Sequence, residues 1–198
     1  MAINCTKYNS LILTQESDKV KLDEMLSSQL REAKRLNNRP RLQLLYRGSA
    51  HKFDSGAFYK LCADKPNLIC LVHSADNHVF GGYTRKGWRC LRGEQDTVRY
   101  NTDDEAFLFC QKASQFEAFH IQQSESRHAT ASIASYMCAF GEDGQDLCLA
   151  THCDANRESW IAFDHLGSSY HISSAYGSYL NNGHNWYRVK EVEVFQLQ

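Results

Sequence analysis

Cys148-x-x-x-His152-Cys153 is the densest group of potential metal ligands in the chain. Zinc sites usually draw paired ligands from two knuckles of defined spacing, and no Cys-x-x-Cys occurs anywhere in the sequence. On a strand, Cys148 and Leu149 would face opposite sides, while His152-Cys153 reads as a turn. The ligand set is incomplete, and no bound metal or cofactor is expected. A thiol enzyme would need a nucleophilic cysteine with a base in reach. Cys62, beside Leu61, is the candidate redox residue. It falls near the C-terminal end of an apolar helical pattern, where the helix dipole disfavours a thiolate. Its competing role is that of a packed core thiol. Ser49 and His51 are close in sequence, but no Gly-x-Ser-x-Gly elbow frames them, which argues against a serine hydrolase.

Two further features could carry function. Strand alternation over Val189 to Leu197 puts Glu191, Glu193, Phe195 and Leu197 on one face and Val192 and Val194 on the other. Neither face is polar throughout, so the strand is expected to be covered on both sides. A carboxylate there needs a cation or backbone donors, and a Glu193–Arg pair tying strands together is favoured over general-acid work. The segment from Ser168 to Trp186 is rich in Ser, Gly, Asn and aromatics (Tyr170, Tyr176, Tyr179, Trp186). That mix suits either a connection between strands or a ligand-binding loop, because Tyr and Trp give large rigid contacts.

The elements that must position these residues form two parts. Asp18 to Leu36 places Leu22, Met25, Leu26, Leu30 and Ala33 on one helical face. Ser17 suits the N-cap, Lys34-Arg35 suit the last turn, and Asn37-Asn38 with Pro40 stop the helix. Its apolar stripe must dock on something. From Leu42 onward the signal turns to strands. Leu42, Leu44 and Leu45 lead into Tyr46, then Asp54 caps a short helix in which Ala57, Phe58, Leu61 and Cys62 share a face. A hairpin runs from Leu68 to Thr84, with adjacent glycines, Gly81 and Gly82, in its second strand. Such a pair survives in a strand where backbones pass closely. Further strands are expected near Phe107-Leu108-Phe109, Phe119–Ile121, Tyr136–Phe140, Leu147–Leu149, Trp160–Phe163 and Val189–Leu197. Many short strands with turn residues between them predict an antiparallel sandwich rather than β-α-β units.

The totals set bounds on function. The 198 residues suit one domain with a sizeable core. A formal net charge of −1 offers no electrostatic footprint for nucleic acid or an anionic membrane surface. The apolar runs are far too short for a spanning helix, and the N-terminus lacks the basic start and apolar core of a secretory signal. A cytoplasmic location is therefore expected, with the eight cysteines, at 5, 62, 70, 90, 110, 138, 148 and 153, as free and mostly buried thiols. Nothing in the sequence fixes the oligomeric state.

Five blocks, in order, resemble the TLDc domain, the module shared by oxidation-resistance proteins and several trafficking and coactivator proteins. They are Leu44 to Ser49, Phe58 to Cys62, Val79 to Thr84 with Trp88, Asp104 to Phe109, and Lys190 to Phe195. The resemblance divides the chain into a helical lead-in, 1–41, packed on a domain, 42–198. It implies an α+β fold with two antiparallel β-sheets packed as a sandwich and flanked by helices. The signature positions Gly81, Gly82, Tyr83, Trp88, Phe107, Phe109 and Glu193 are then structural. It also implies a non-catalytic interaction module linked to oxidative-stress protection, with the cytosolic sector of the vacuolar proton-pumping ATPase as a possible partner. His51, Lys52 and Phe53 depart from the family pattern, and with Tyr176, Tyr179 and Trp186 they are the candidate partner contacts. Two other classes compete: a redox-active or hydrolytic enzyme built on Cys62 or the Glu193 neighbourhood, and a small-ligand or glycan binder built on the 168–186 loop.

Overall fold

In the computed structural model the described residues are 8–30, 41–91, 97–113, 115–161, 169–171 and 184–198. Twelve strands form two six-stranded sheets, all of whose pairings are antiparallel. The first sheet has the order β1-β12-β2-β3-β5-β6. Its strands are β1 (Leu42–Arg47), β2 (Leu68–Ser74), β3 (Val79–Thr84), β5 (Phe107–Lys112), β6 (Gln115–His120) and β12 (Val189–Leu197). The second sheet has the order β11-β10-β9-β8-β7-β4. It contains β4 (Arg99–Asn101), β7 (Thr130–Ser132), β8 (Tyr136–Phe140), β9 (Leu147–Ala150), β10 (Ser159–Ile161) and β11 (Trp186–Tyr187). The sandwich expected from the spacing of short apolar runs is the fold.

The inner faces meet in one core. Cys70, Val72, Phe80, Leu108, Val192 and Val194 of the first sheet face Met137, Phe140, Leu149, Ile161 and Tyr187 of the second. The hairpin of β2 and β3 lies in the middle of its sheet, with Cys70 opposite Gly82 and Leu71 opposite Gly81. A Cβ on Gly81 would lie 1.9 Å from the Cys70 carbonyl oxygen, and one on Gly82 would lie 2.6 Å from Phe140 Cζ. The double glycine therefore answers two demands, a neighbouring backbone on one face and an aromatic ring of the opposite sheet on the other. Trp88 closes the same region. It is fully buried, its ring packs edge-on against Phe58 and Phe140, and its Nε1 donates to the Ala139 carbonyl at 3.0 Å.

Helices sit where apolar strand faces need covering. The N-terminal helix α1 (Glu16–Gln29) buries Leu22, Met25 and Leu26 with Leu30 in a second cluster. That cluster covers Ile69, Leu71, Tyr83, Phe107, Phe109 and Phe195, the outward face of the first sheet. The ends of α1 differ from the sequence reading. Gln15, not Ser17, occupies the N-cap and makes no side-chain capping bond. Glu16 and Asp18 lie in the first turn, where carboxylates suit the dipole. The helix stops at Gln29, and Leu30 turns extended and buried. Tertiary burial overrides the local helical pattern here, and the expected stop signals at 34–40 lie outside the described residues. Two short helices follow, α2 (Gly48–His51) and α3 (Ser55–Cys62). Asp54 caps α3 as expected, accepting the Ala57 N–H at 2.7 Å. Among the described residues, no helix is long and apolar enough to cross a membrane.

Candidate functional site

Strand β12 carries the polar centre of the molecule. Val192 and Val194 point into the inter-sheet core while Phe195 joins the outer cluster, so the expected alternation holds and both faces are covered. Glu193 is fully buried on the outer side. Its Oε1 accepts Arg47 Nε at 2.9 Å and Nη2 at 2.8 Å, and it also accepts the Leu11 N–H at 2.9 Å. Its Oε2 accepts the Ser10 hydroxyl at 2.5 Å. Arg47 lies directly opposite on β1 and donates in turn to the Asn9 carbonyl at 2.9 Å. Ser10 Oγ accepts the N–H groups of Ile12 and Leu13. A strand-tying Glu193–Arg pair was the expected role, and the carboxylate also fastens residues 9–13 to the domain. Both carboxylate oxygens of Glu193 thus accept from fixed donors, which offsets the cost of burying the group.

Glu191, two residues earlier, is used in the same way. It accepts the Ser49 hydroxyl at 2.5 Å and the Ser49 N–H at 3.0 Å, which caps the start of α2. Ser49 Oγ is therefore engaged with a carboxylate. The His51 Nδ1 lies 2.8 Å from the Arg47 carbonyl, and its ring stacks on Tyr46. Serine and histidine are not bonded to each other.

The candidate contact residues divide by position. His51 is half-buried, Lys52 is exposed and Phe53 is buried. Lys52 and Phe53 both hold left-handed backbone, φ 58° and 51°. The turn is anchored by the Phe53 carbonyl, which accepts the His152 N–H at 2.7 Å. Lys52 alone of the three offers its side chain to a partner. Tyr176 and Tyr179 lie outside the described residues, and Trp186 is 53% exposed on β11. Of the remaining signature positions, Phe107, Phe109 and Tyr83 lie in the outer cluster beneath α1.

Cys62 ends α3 and is fully buried. Burial pushes its thiol up to about 12, with the neighbouring Cys70 adding to the shift and Lys65 opposing it. Cys138, on the facing sheet, is held well above the ordinary thiol range by burial and then by its hydrogen bond with Cys70. Thiols so placed are protonated and poor nucleophiles. The Cys148, His152 and Cys153 set disperses. Cys148 belongs to the outer face of the second sheet, Cys153 to the inter-sheet core, and His152 is exposed. Among the described residues, no group of three His, Cys, Asp or Glu is disposed to hold a metal ion.

Two participants escape a sequence reading. Ser10 lies 183 positions from Glu193, and no local pattern marks the pair. Trp160 packs on Trp186 at 5.3 Å between ring centres, and the only hint is that each sits at an alternating position of a short strand. No curated protein matches the chain. A family model, the TLDc domain, matches residues 6–198, so its match takes in the segment pinned by Glu193 as well as both sheets. The chain belongs to the TLDc domain family.

Proposed function

We propose that this protein acts as a non-catalytic interaction module in the cytoplasm, binding a protein assembly and contributing to oxidative-stress protection. The cytosolic sector of the vacuolar proton-pumping ATPase is the first partner to test. One observation carries the reading: among the described residues, the candidate groups for a reaction are taken up by internal contacts or burial. Glu193 is saturated by Arg47, Ser10 and Leu11, Glu191 caps α2 through Ser49, and the Cys62 thiol is buried and protonated. Membership of the TLDc family supports the choice of partner class.

The test uses the full chain as bait for the purified cytosolic sector, with ATP hydrolysis by the pump as a second readout. Wild type is expected to bind and to change hydrolysis. Cys62→Ser and Glu193→Gln are expected to retain binding in proportion to the folded protein present, because their roles are structural. Loss of a measured turnover in a correctly folded Cys62→Ser chain would replace this reading with an enzymatic one.

A further inference from the structure

The outward face of the second sheet, which carries the Trp160–Trp186 pair, has no part in the Glu193 and Glu191 networks. The pleat turns Ala131, Ala139 and Cys148 outward as a floor of small residues, all buried. Around them Val98, Tyr100, Ile133, Tyr136 and Trp160 are only half-buried. Trp186 is 53% exposed and leans on Trp160. The stripe crosses six strands, roughly 24 Å at the usual strand spacing. The outward face of the first sheet is roofed by α1, whereas here the short turn Glu142–Gly144 lies over part of the floor, a Cβ on Gly144 falling 3.1 Å from the Cβ atoms of Ala139 and Cys148.

Charge says what kind of chain fits there. At one end of the strands, Tyr100 donates its hydroxyl to Asp143, with Glu142 beside it. The Trp160 Nε1 donates to the Gly144 carbonyl at 3.1 Å, which brings the same acidic turn against the indole. At the other end Tyr136 pairs with Ala150, whose N–H donates to Ser159 Oγ at 3.1 Å, and Glu158 adjoins Ser159 at that edge. Glu158 is exposed, and the Glu142 side chain is 54% exposed, with His128 at 3.9 Å. Two exposed cations, Arg157 next to Glu158 and Arg188 two positions beyond Trp186, stand against these three carboxylates. Carboxylates at both ends of an aromatic stripe suit cationic side chains, which can lie over indole faces and pair with acids at the rim. An anionic surface would be repelled.

We propose that this face docks an arginine- and lysine-bearing polypeptide segment of a protein partner. Trp186 and Trp160 are the anchors, and Glu142, Asp143 and Glu158 are the pairing groups. The proposal rests on the interaction-module reading and names the surface and the partner chemistry that reading would use.

A labelled peptide of alternating Arg and Leu, titrated into the full chain and followed by fluorescence anisotropy, tests it. Binding is expected to weaken with added salt. Trp186→Ala and the double change Glu142→Gln with Glu158→Gln should each weaken it by about tenfold or more. The exposed positions of these side chains let the variants fold, which melting curves verify. A matching peptide of alternating Glu and Leu should not bind. Equal binding of the Arg peptide to wild type and Trp186→Ala, or no binding at all, overturns the proposal. So does an indole at 186 that is shielded from acrylamide quenching in the free chain, because a segment of the chain itself would then be the occupant. If wild type and Trp186→Ala capture the pump sector alike and neither binds the peptide, this surface is wrong while the module reading stands. If the Arg peptide binds as described and no pump sector is captured, the surface holds and the pump is the wrong partner.

Discussion

A buried carboxylate shows most plainly how this sequence spends its reactive groups. Glu193 would be costly in an apolar setting, yet Arg47, Ser10 and the Leu11 N–H convert it into a fastening between strand and N-terminal segment. The glycines of β3 are constrained just as tightly, but by shape. The Gly81 contact is with a main-chain oxygen that the sheet holds in place, while the Gly82 contacts are with the side chains of Phe140 and Leu108. Gly82→Val is expected to cost about 2 kcal/mol or more, because Phe140 is itself wedged against Trp88. Gly81→Ala should cost more than Gly82→Ala, since a ring can yield by a few tenths of an ångström and a paired carbonyl cannot. Urea denaturation of the three variants measures both statements. Equal midpoints for the two alanine variants would show that the backbone contact at Gly81 is not the stricter one.

At the scale of elements, what could be read in advance followed from apolar density. The β2–β3 hairpin, β8, β9, β12 and α3 all carry runs of buried residues at the right period, and they lie where the pattern put them. Strands β4, β7 and β11 are short and read Arg-Tyr-Asn, Thr-Ala-Ser and Trp-Tyr. Their conformation comes from pairing with neighbours, information that no local window contains. The same limit applies to the site. That Glu193 would need an arginine was legible from its strand, but the choice of Arg47 depends on the β1–β12 register, and Ser10 on a contact from the opposite end of the chain. Helix α1 shows the converse. Its apolar spacing was clear, but its ends were misplaced: the start at Gln15 has no side-chain cap to mark it, and the end at Leu30 is set by burial in the outer cluster. A helix of this length is marginal by itself in water, so its stability is borrowed from the sheet beneath. Leu26→Ala should destabilise the whole domain by about 2–4 kcal/mol, the range for a fully buried leucine. Hydrogen exchange in the wild-type chain should be slow from Leu22 to Leu26. Fast exchange there would recast α1 as an arm that folds on contact with a partner.

Across the whole molecule, the cysteines make stability depend on alkaline pH. Cys62, Cys110, Cys148 and Cys153 are each pushed up to about 12, in every case chiefly by burial, and Cys138 lies well above its ordinary value for the same reason. The unperturbed thiol sits at 9.0. These groups are neutral when protonated, and the folded state keeps them so. Below pH 9 folded and unfolded chains hold the same thiol protons, and the contribution to stability is fully present. Above it the unfolded chain releases protons that the folded chain retains, so unfolding becomes progressively easier up to the folded values. Each such thiol removes roughly 1.4 kcal/mol per pH unit over that window. Several acting together approach the whole stability of an ordinary domain, about 5–15 kcal/mol. The melting temperature should therefore hold nearly level from pH 7 to 9 and then fall steeply, with cooperative unfolding before pH 12. Cys110→Ala tests the cause. Its unfolding free energy should decline less steeply than that of wild type between pH 9 and 11, by roughly the contribution of one proton. A stability that stays level through pH 11, or a slope that Cys110→Ala leaves unchanged, would mean that the thiols ionise in place and that the core is wetter than its packing indicates.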